Sequence, residues 1–421
     1  MDGGSPGNGA RMALVRAPGT VAEPAARQSF LREYNLSLVL RRIVDAPRPL
    51  SRAQLAKQTG LTRATVSALV DRLVVARLVE ERDPASATHA GRPAVPLVPA
   101  SNGVVGMGLA VQVDHIGVLV LDLAGATVAE RIVTGNFRAS DPRGVIERLA
   151  ELADQVNRGL VRDGAVLAGV AVSVPGLVQD GSLVRYAPNL DWHDVDVGGL
   201  LTAALGGNHA VAVGNDADLG ARAESRARAR RMGIARAEQS FLYVECEVGI
   251  GGAIVVRGEL AEGRHGWGGE VGHMAVDRSG PPCGCGARGC LEQYAGKDAM
   301  LTRAGLSLGA SMADLRSLLD AGERSARAAV AEAAEGLGTV ISSTLNLVDL
   351  DTVVLGGAYA PIADQLVPTI ERHIQRRTLA ARWVPIQVHA ALEGEFADLI
   401  GAAVSVLDDV VSNPSAWVAV S

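Results

Sequence analysis

The chain has 421 residues, 48% apolar and 20% charged, the balance of an ordinary globular protein with room for two or three domains and their cores. No apolar run reaches membrane-spanning length, since the best, from Val104 onward, is broken by Gln112, Asp114 and His115. The net charge of −6 hides an asymmetry: residues 1–100 carry 14 Arg/Lys against 8 Asp/Glu, and the remainder 26 against 38, so only a basic front module is expected to meet nucleic acid.

Residues 1–29 lack an apolar core of signal-peptide length and read as a disordered tail, which points to a cytoplasmic protein. From Phe30 the pattern turns helical. Phe30, Leu31, Tyr34, Leu38 and Ile43 form an apolar stripe that ends before Pro47. A second helix runs from an N-cap at Ser51 to a stop at Gly60. A third begins at an N-cap, Thr62, and turns Val66, Leu69, Val70 and Leu73 inward. Two short helices joined by a tight turn make a helix-turn-helix, with the second sized for the major groove. Its first turns offer Arg63, Thr65 and Ser67 to bases and Arg72 to phosphate. Two strands, at 78–81 and 94–98, read as a wing around the arginine of HAGRPAVP, and Arg92 there is thin enough to enter a minor groove. A small helical interaction domain, with Arg92 an exposed turn residue, is the plainer alternative. The winged helix-turn-helix domain is set at 30–100 and the body at 101–421.

In the body, strands at 104–113, 117–122 and 127–134 form a meander, followed by a helix at 142–163 and a buried strand at 167–174 ending in Pro175-Gly176. An irregular stretch containing RYAPNLDW precedes helix 196–205, strand 210–213 and helix 216–231. The order then repeats: strands 240–246 and 251–256, helices across 298–346, strand 352–355 ending in Gly356-Gly357, helix 361–379, strand 385–389 and helix 396–410. Two halves of one pattern imply a duplicated α/β body with a cleft between lobes, lined by strand-end residues such as Asn215-Asp216.

Between the second meander and its helices lies GRHGWGGEVGHMAVDRSGPPCGCGARGCLE. It holds Cys283, Cys285 and Cys290, with His273 ten positions before the first. Three thiolates and an imidazole make a closed Cys₃His shell, the usual content of a structural zinc site. Pro-Pro and interleaved glycines let the sulfurs converge. A disulfide or free thiols are the alternatives, but a Cys283–Cys285 bridge is strained at that spacing and nothing indicates secretion.

Gly269-Glu270-Val271-Gly272-His273 and CGCGARGCLE, with Asn215-Asp216-Ala217-Asp218, Pro188-Asn189-Leu190 and Leu355-Gly356-Gly357 in order, resemble the ROK family of repressors, open reading frames and kinases over about residues 30–410. The resemblance implies a two-lobed actin-like ATPase (ribonuclease H-like) fold that binds a sugar, and the front module resembles the repressor branch, which sugars release from operator DNA as homodimers or homotetramers. It implies sugar contacts from Gly176, Asn189, Asn215, Asp216, Glu270, His273 and Glu292, each carboxylate taken alone being readable as a surface charge. His273 would bind Zn²⁺ through one ring nitrogen and face the sugar with the other. Asp216 matches the general base of the kinase branch. The phosphate loops depart from that branch: Ala110-Val111-Gln112-Val113-Asp114-His115 has no glycine, and Glu247-Val248 replaces two small residues, so a carboxylate stands where phosphate would bind. The reading is a sugar-responsive regulator without catalysis. An ATP-dependent sugar kinase with an appended DNA-binding module is its rival.

Overall fold

The computed structural model describes residues 24–83, 95–101, 103–207 and 210–418. Helix α1 (Pro24–Val44) buries Leu36, Val39, Leu40 and Ile43, the i, i+3, i+4, i+7 rhythm of one helical face. This corrects the expected stripe: Phe30, Leu31 and Tyr34 are exposed (66%, 56% and 58%). They sit on the early turns, ahead of the part of α1 that packs on its neighbours. Helix α2 (Arg52–Thr59) starts at Ser51, whose side chain exchanges capping bonds with Gln54, and stops at Gly60 with φ 72°. Helix α3 (Arg63–Val75) starts at Thr62 and buries Val66, Leu69, Val70 and Leu73. Strands β1 (Val79–Glu81) and β2 (Leu97–Pro99) pair antiparallel, Glu80 opposite Val98. The wing is therefore present, while Arg92 lies outside the described residues.

The body repeats one design. In the first lobe β3 (Val104–Val111), β4 (His115–Asp122) and β5 (Thr127–Thr134) form the meander; α4 (Pro142–Arg162) leads to β6 (Val166–Val174), parallel to β3. The stretch expected to be irregular is instead a three-stranded sheet, β7 (Leu177–Gln179), β8 (Leu183–Ala187) and β9 (Trp192–Asp196). It is anchored by the fully buried Trp192, which donates Nε1–H to the Ser140 carbonyl at 3.1 Å. Strands of three to five residues interrupted by Pro188 carry too little alternation to be read locally. Helix α5 (Val197–Ala204) then leads to β10 (Val211–Asn215), parallel to β6, and α6 (Asp216–Met232).

In the second lobe β11 (Phe241–Cys246), β12 (Ile250–Val256) and β13 (Glu259–Leu260) form the matching meander. After the cysteine loop come α7 (Glu292–Ala295), α8 (Lys297–Ala304), α9 (Met312–Asp320) and α10 (Arg324–Val348). Strand β14 (Thr352–Gly357) lies parallel to β11, and β15 (Gln387–Ala390) parallel to β14, joined by α11 (Ala363–Arg377). The two five-stranded orders, β10-β6-β3-β4-β5 and β13-β12-β11-β14-β15, are one topology used twice, read from opposite edges.

The last long helix, α12 (Ala397–Ser412), returns to the first lobe and packs on β3 and β6. It also joins the front module: Leu36, Leu40, Val70 and Leu78 share one apolar cluster with Leu119, Leu399, Leu407 and Val411. The front module is thus seated on the body through common core.

Candidate binding cleft and metal centre

The cysteine loop folds by tight turns. The Cys283 amide donates to the Ala287 carbonyl at 2.9 Å and the Gly286 amide to the Cys283 carbonyl at 3.0 Å. Gly289 has φ 69°, and a Cβ there would lie 1.6 Å from the Asp277 carbonyl oxygen, so no other residue fits. These turns bring His273, Cys283, Cys285 and Cys290 together, with one ligand atom from each lying within 4.8 Å of the rest. His273 Nδ1 is 3.8 Å from Cys283 Sγ, and Cys285 Sγ is 3.7 Å from Cys290 Sγ. Tetrahedral Zn–S bonds of about 2.3 Å place sulfurs about 3.8 Å apart, whereas a disulfide needs about 2.05 Å. The donor set fits zinc and not a bridge. Mixed His/Cys donors in a closed shell hold an ion for structure and leave no coordination position for substrate.

The knot also sets the wall of a cleft. His273 turns Nε2 toward Glu270, 4.0 Å away, and Glu292 follows Cys290 by two residues at the start of α7. All seven residues expected to meet a sugar (Gly176, Asn189, Asn215, Asp216, Glu270, His273 and Glu292) line one cavity between the lobes. Gly176 adopts φ 107°, where a Cβ would strike the Tyr186 carbonyl oxygen at 2.2 Å. Asn215 caps α6 through Asp218 and donates Nδ2–H to the Gly176 carbonyl at 3.0 Å, tying strand end to loop.

Asp216 opens α6 and is buried. Its Oδ1 accepts from the Ala217 amide at 3.0 Å, and burial, then nearby Asp398, pushes its carboxyl up to about 6. Burial, then Asp216 and Glu292, raises Glu270 to about 7. These carboxyls crowd each other, with no Arg or Lys among the described residues that line the cavity.

Sequence reasoning missed part of this floor. Gln112 and Glu247, read from the sequence only as loop departures, line the cavity with Glu245, which was not singled out. Gln112 donates Nε2–H to Asp398 at 3.0 Å and, at the limit, to Asp216 at 3.5 Å; Ser173 donates to the same Asp398 oxygen at 2.7 Å. A lone carboxylate in the apolar run ADLIGAAV was the available signal for Asp398. Across the lobes Lys297 donates to Asp114 at 2.9 Å, and Arg138 pairs with Asp298. Burial opposes the charge on Asp114, yet the His115 and Lys297 hydrogen bonds hold it well below the usual carboxylate range. Gln112 and Asp114, at the turn between β3 and β4, are therefore held in an internal polar network.

On the front module Arg63 and Arg72 are exposed on α3, while Thr65 and Ser67 are half-buried. Thr65 shares a 2.9 Å hydrogen bond with Thr62, and the Ser67 carbonyl accepts from Arg52. A larger cavity, about 1190 Å³, opens between this module and the body. Its walls mix arginines and aspartates without a converging set, and it meets the smaller cavity at Asn215.

Fold and site together define a winged helix-turn-helix protein whose body has the two-lobed actin-like kinase fold. The chain belongs to the ROK family, whose model matches residues 107–409, and a MarR family model matches residues 37–87. It is 31% identical to the xylose repressor of Bacillus subtilis over 276 residues, 66% of this chain and 69% of that protein. It is 32% identical to the kanosamine kinase of Amycolatopsis mediterranei over 298 residues, 68% of this chain and 94% of that protein. A crystal structure of a ROK family transcriptional regulator, a homologue of the Escherichia coli MLC protein, matches with a TM-score of 0.72 at 22% identity, covering 93% of this chain and all of that one. At that identity the match speaks for fold.

Proposed function

We propose that the protein is a sugar-responsive transcriptional repressor. Its winged helix-turn-helix binds operator DNA as part of a homodimer or homotetramer, and a sugar in the cleft releases it. The observation that carries this reading is the cleft floor: the seven expected sugar contacts line one cavity, while Glu247, Gln112 bonded to Asp398, and Asp114 bonded to Lys297 stand in the segments that would have to cradle phosphate. Hydroxyls need acceptors and paired donor–acceptor groups, which carboxylates and asparagines supply. A triphosphate needs small residues presenting amides, and here it would meet a carboxylate. The xylose repressor relative supports the same reading.

A Zn²⁺ held by His273, Cys283, Cys285 and Cys290 would fix the imidazole's tautomer and orientation and the spacing of Glu270 and Glu292. Arg63 and Arg72 would lead contact with DNA, with Thr65 and Ser67 behind them, and Arg92 on the wing.

The kinase reading keeps one specific support, Asp216 at the cleft floor beside the sugar contacts. A gel shift on the gene's own upstream DNA, with a panel of sugars and their 6-phosphates, separates the two when run beside an ADP-release assay. The expected result is a shift abolished by one sugar, with no ADP above background. Steady, sugar-dependent ADP release that disappears in Asp216→Asn would make the chain an enzyme.

A further inference from the structure

The cleft is one-sided in charge. Asp216, Glu245, Glu247, Glu270 and Glu292 face it, and no Arg or Lys is among its described lining residues. Nearby Lys297 is committed to Asp114 at 2.9 Å. Of the three side-chain amides lining it, Gln112 is committed to Asp398 and Asn215 to the Gly176 carbonyl, which leaves Asn189 to donate to a hydroxyl. Glu245 is the sharpest case. It is 2% exposed, and its Oε1 has no hydrogen-bond partner among the described residues.

Resting on the sugar reading above, we infer that the effector is an unphosphorylated amino sugar bearing a free, basic amine. A neutral sugar donates one hydrogen per hydroxyl and leaves the charge uncompensated. A phosphate adds only acceptors and negative charge, so it is repelled. An N-acetyl group replaces three charged donors with one neutral N–H. A protonated amine supplies three donors and the missing positive charge in one group, and a buried carboxylate is stable when paired in this way. A metal ion would answer the charge too. However, the one described set of His, Cys, Asp and Glu ligand atoms that converges within 4.8 Å is the His273–cysteine group, not these carboxylates. A ligand that reaches several of them at once suits their spread. Burial, then Asp216 for Glu245 and Asp398 for Glu247, pushes both carboxyls well above their ordinary range, with Lys297 pulling Glu247 back, and an ammonium would take the place of the protons these acids otherwise keep.

The test is calorimetry on the full-length, zinc-loaded protein. Glucosamine, galactosamine and 3-amino-3-deoxyglucose are each compared with the parent hexose, the N-acetyl form and the 6-phosphate, with Mg²⁺ and K⁺ alone as further arms. The expected result is one amine binding at least about tenfold tighter than its parent and its N-acetyl form, with the 6-phosphate undetectable. Glu245→Gln and Glu247→Gln should each bring the amine-to-parent ratio toward one; the wild-type ratio decides the matter even if a variant fails to fold. A neutral sugar, an N-acetyl sugar or a 6-phosphate binding as tightly as the best amine overturns the inference while leaving the sugar reading intact. Saturation of the cleft by Mg²⁺ or K⁺ alone, blocking amine binding, overturns it in favour of an inorganic cation. Binding of no sugar at all overturns the proposed function as well.

Discussion

Asp216 is both buried and required to accept a hydrogen bond, and the two demands oppose each other. Its carboxyl rises from 3.8 to about 6, through burial and then Asp398. Below about pH 4 both folded and unfolded chains hold the proton, and the residue is neutral to stability. Between these values the unfolded chain loses its proton first, so folding stability falls as pH rises, and the full penalty persists above about 6. Asp216→Asn removes that penalty. Stability at pH 7.5 should rise by on the order of 1–3 kcal/mol, and the gain should vanish below about pH 4. The same change should weaken effector binding about ten- to hundredfold, through loss of a charge-assisted hydrogen bond. Melts from pH 4 to 8 and calorimetry check both halves; a destabilised variant at neutral pH would mean the carboxylate is paired. Much of the pocket was legible because its residues fall in short motifs: Glu270 and His273 in GEVGH, Asn215 and Asp216 in NDAD. Asp398 belongs to no motif, and Gln112 stood out only as part of a loop without glycine. They meet across 286 positions only because α12 returns to lie on β3.

At the scale of elements, local chemistry was readable and tertiary choice was not. Ser51, Gly60 and Thr62 cap their helices as their side chains dictate, because capping depends on residues within one turn. Which face of α1 is buried depends on α3 and α12, and the stripe through Phe30 and Tyr34 was misread for that reason. The cysteine knot is the element whose removal should be most informative. Cys290→Ser opens the shell, so Glu270, His273 and Glu292 lose their common frame. Effector response and thermal stability should fall together, while operator binding without sugar persists. Elemental analysis should give about one zinc per chain in the wild type and a substoichiometric amount in the variant; an unchanged sugar titration in metal-free protein would refute the link. On α3, Arg63→Ala should cost roughly 1–3 kcal/mol on an operator where it meets guanine, read as a weaker shift on that sequence and little change on random DNA.

For the whole molecule, the duplicated body and the winged front were visible in the order of predicted strands and helices, whereas their joint was not, since no motif marks it. That joint gives α12 two ends. Asp398 on its first turn holds Gln112 beside Asp216 on the cleft floor. At its far end the Val411 carbonyl accepts from Ser37 at 2.8 Å, Ser412 accepts from Arg41 at 3.0 Å, and Asp408 accepts from Arg236 at 2.8 Å. Arg236 also pairs with Asp45, just past α1, at 3.4 Å. Burial raises the Asp45 carboxyl while Arg236 pulls it back, so this contact carries charge across the module boundary. A helix of 16 residues is about 24 Å long and stiff, so a shift at Asp398 reaches α1 without any loop in between. Asp45→Asn cuts only the module side and leaves the Arg236–Asp408 pair whole. Coupling between two sites is typically 1–3 kcal/mol and reciprocal: operator must weaken sugar binding by the same factor by which sugar weakens operator binding. In Asp45→Asn both factors should shrink together, by about 0.5–2 kcal/mol, with each ligand's affinity for the otherwise empty protein changed far less. Calorimetry of sugar with and without operator duplex, paired with gel shifts with and without sugar, measures the two sides of the cycle. Full coupling in the variant would place the path elsewhere, through the apolar contacts of Leu399 and Leu407 rather than the charged clamp.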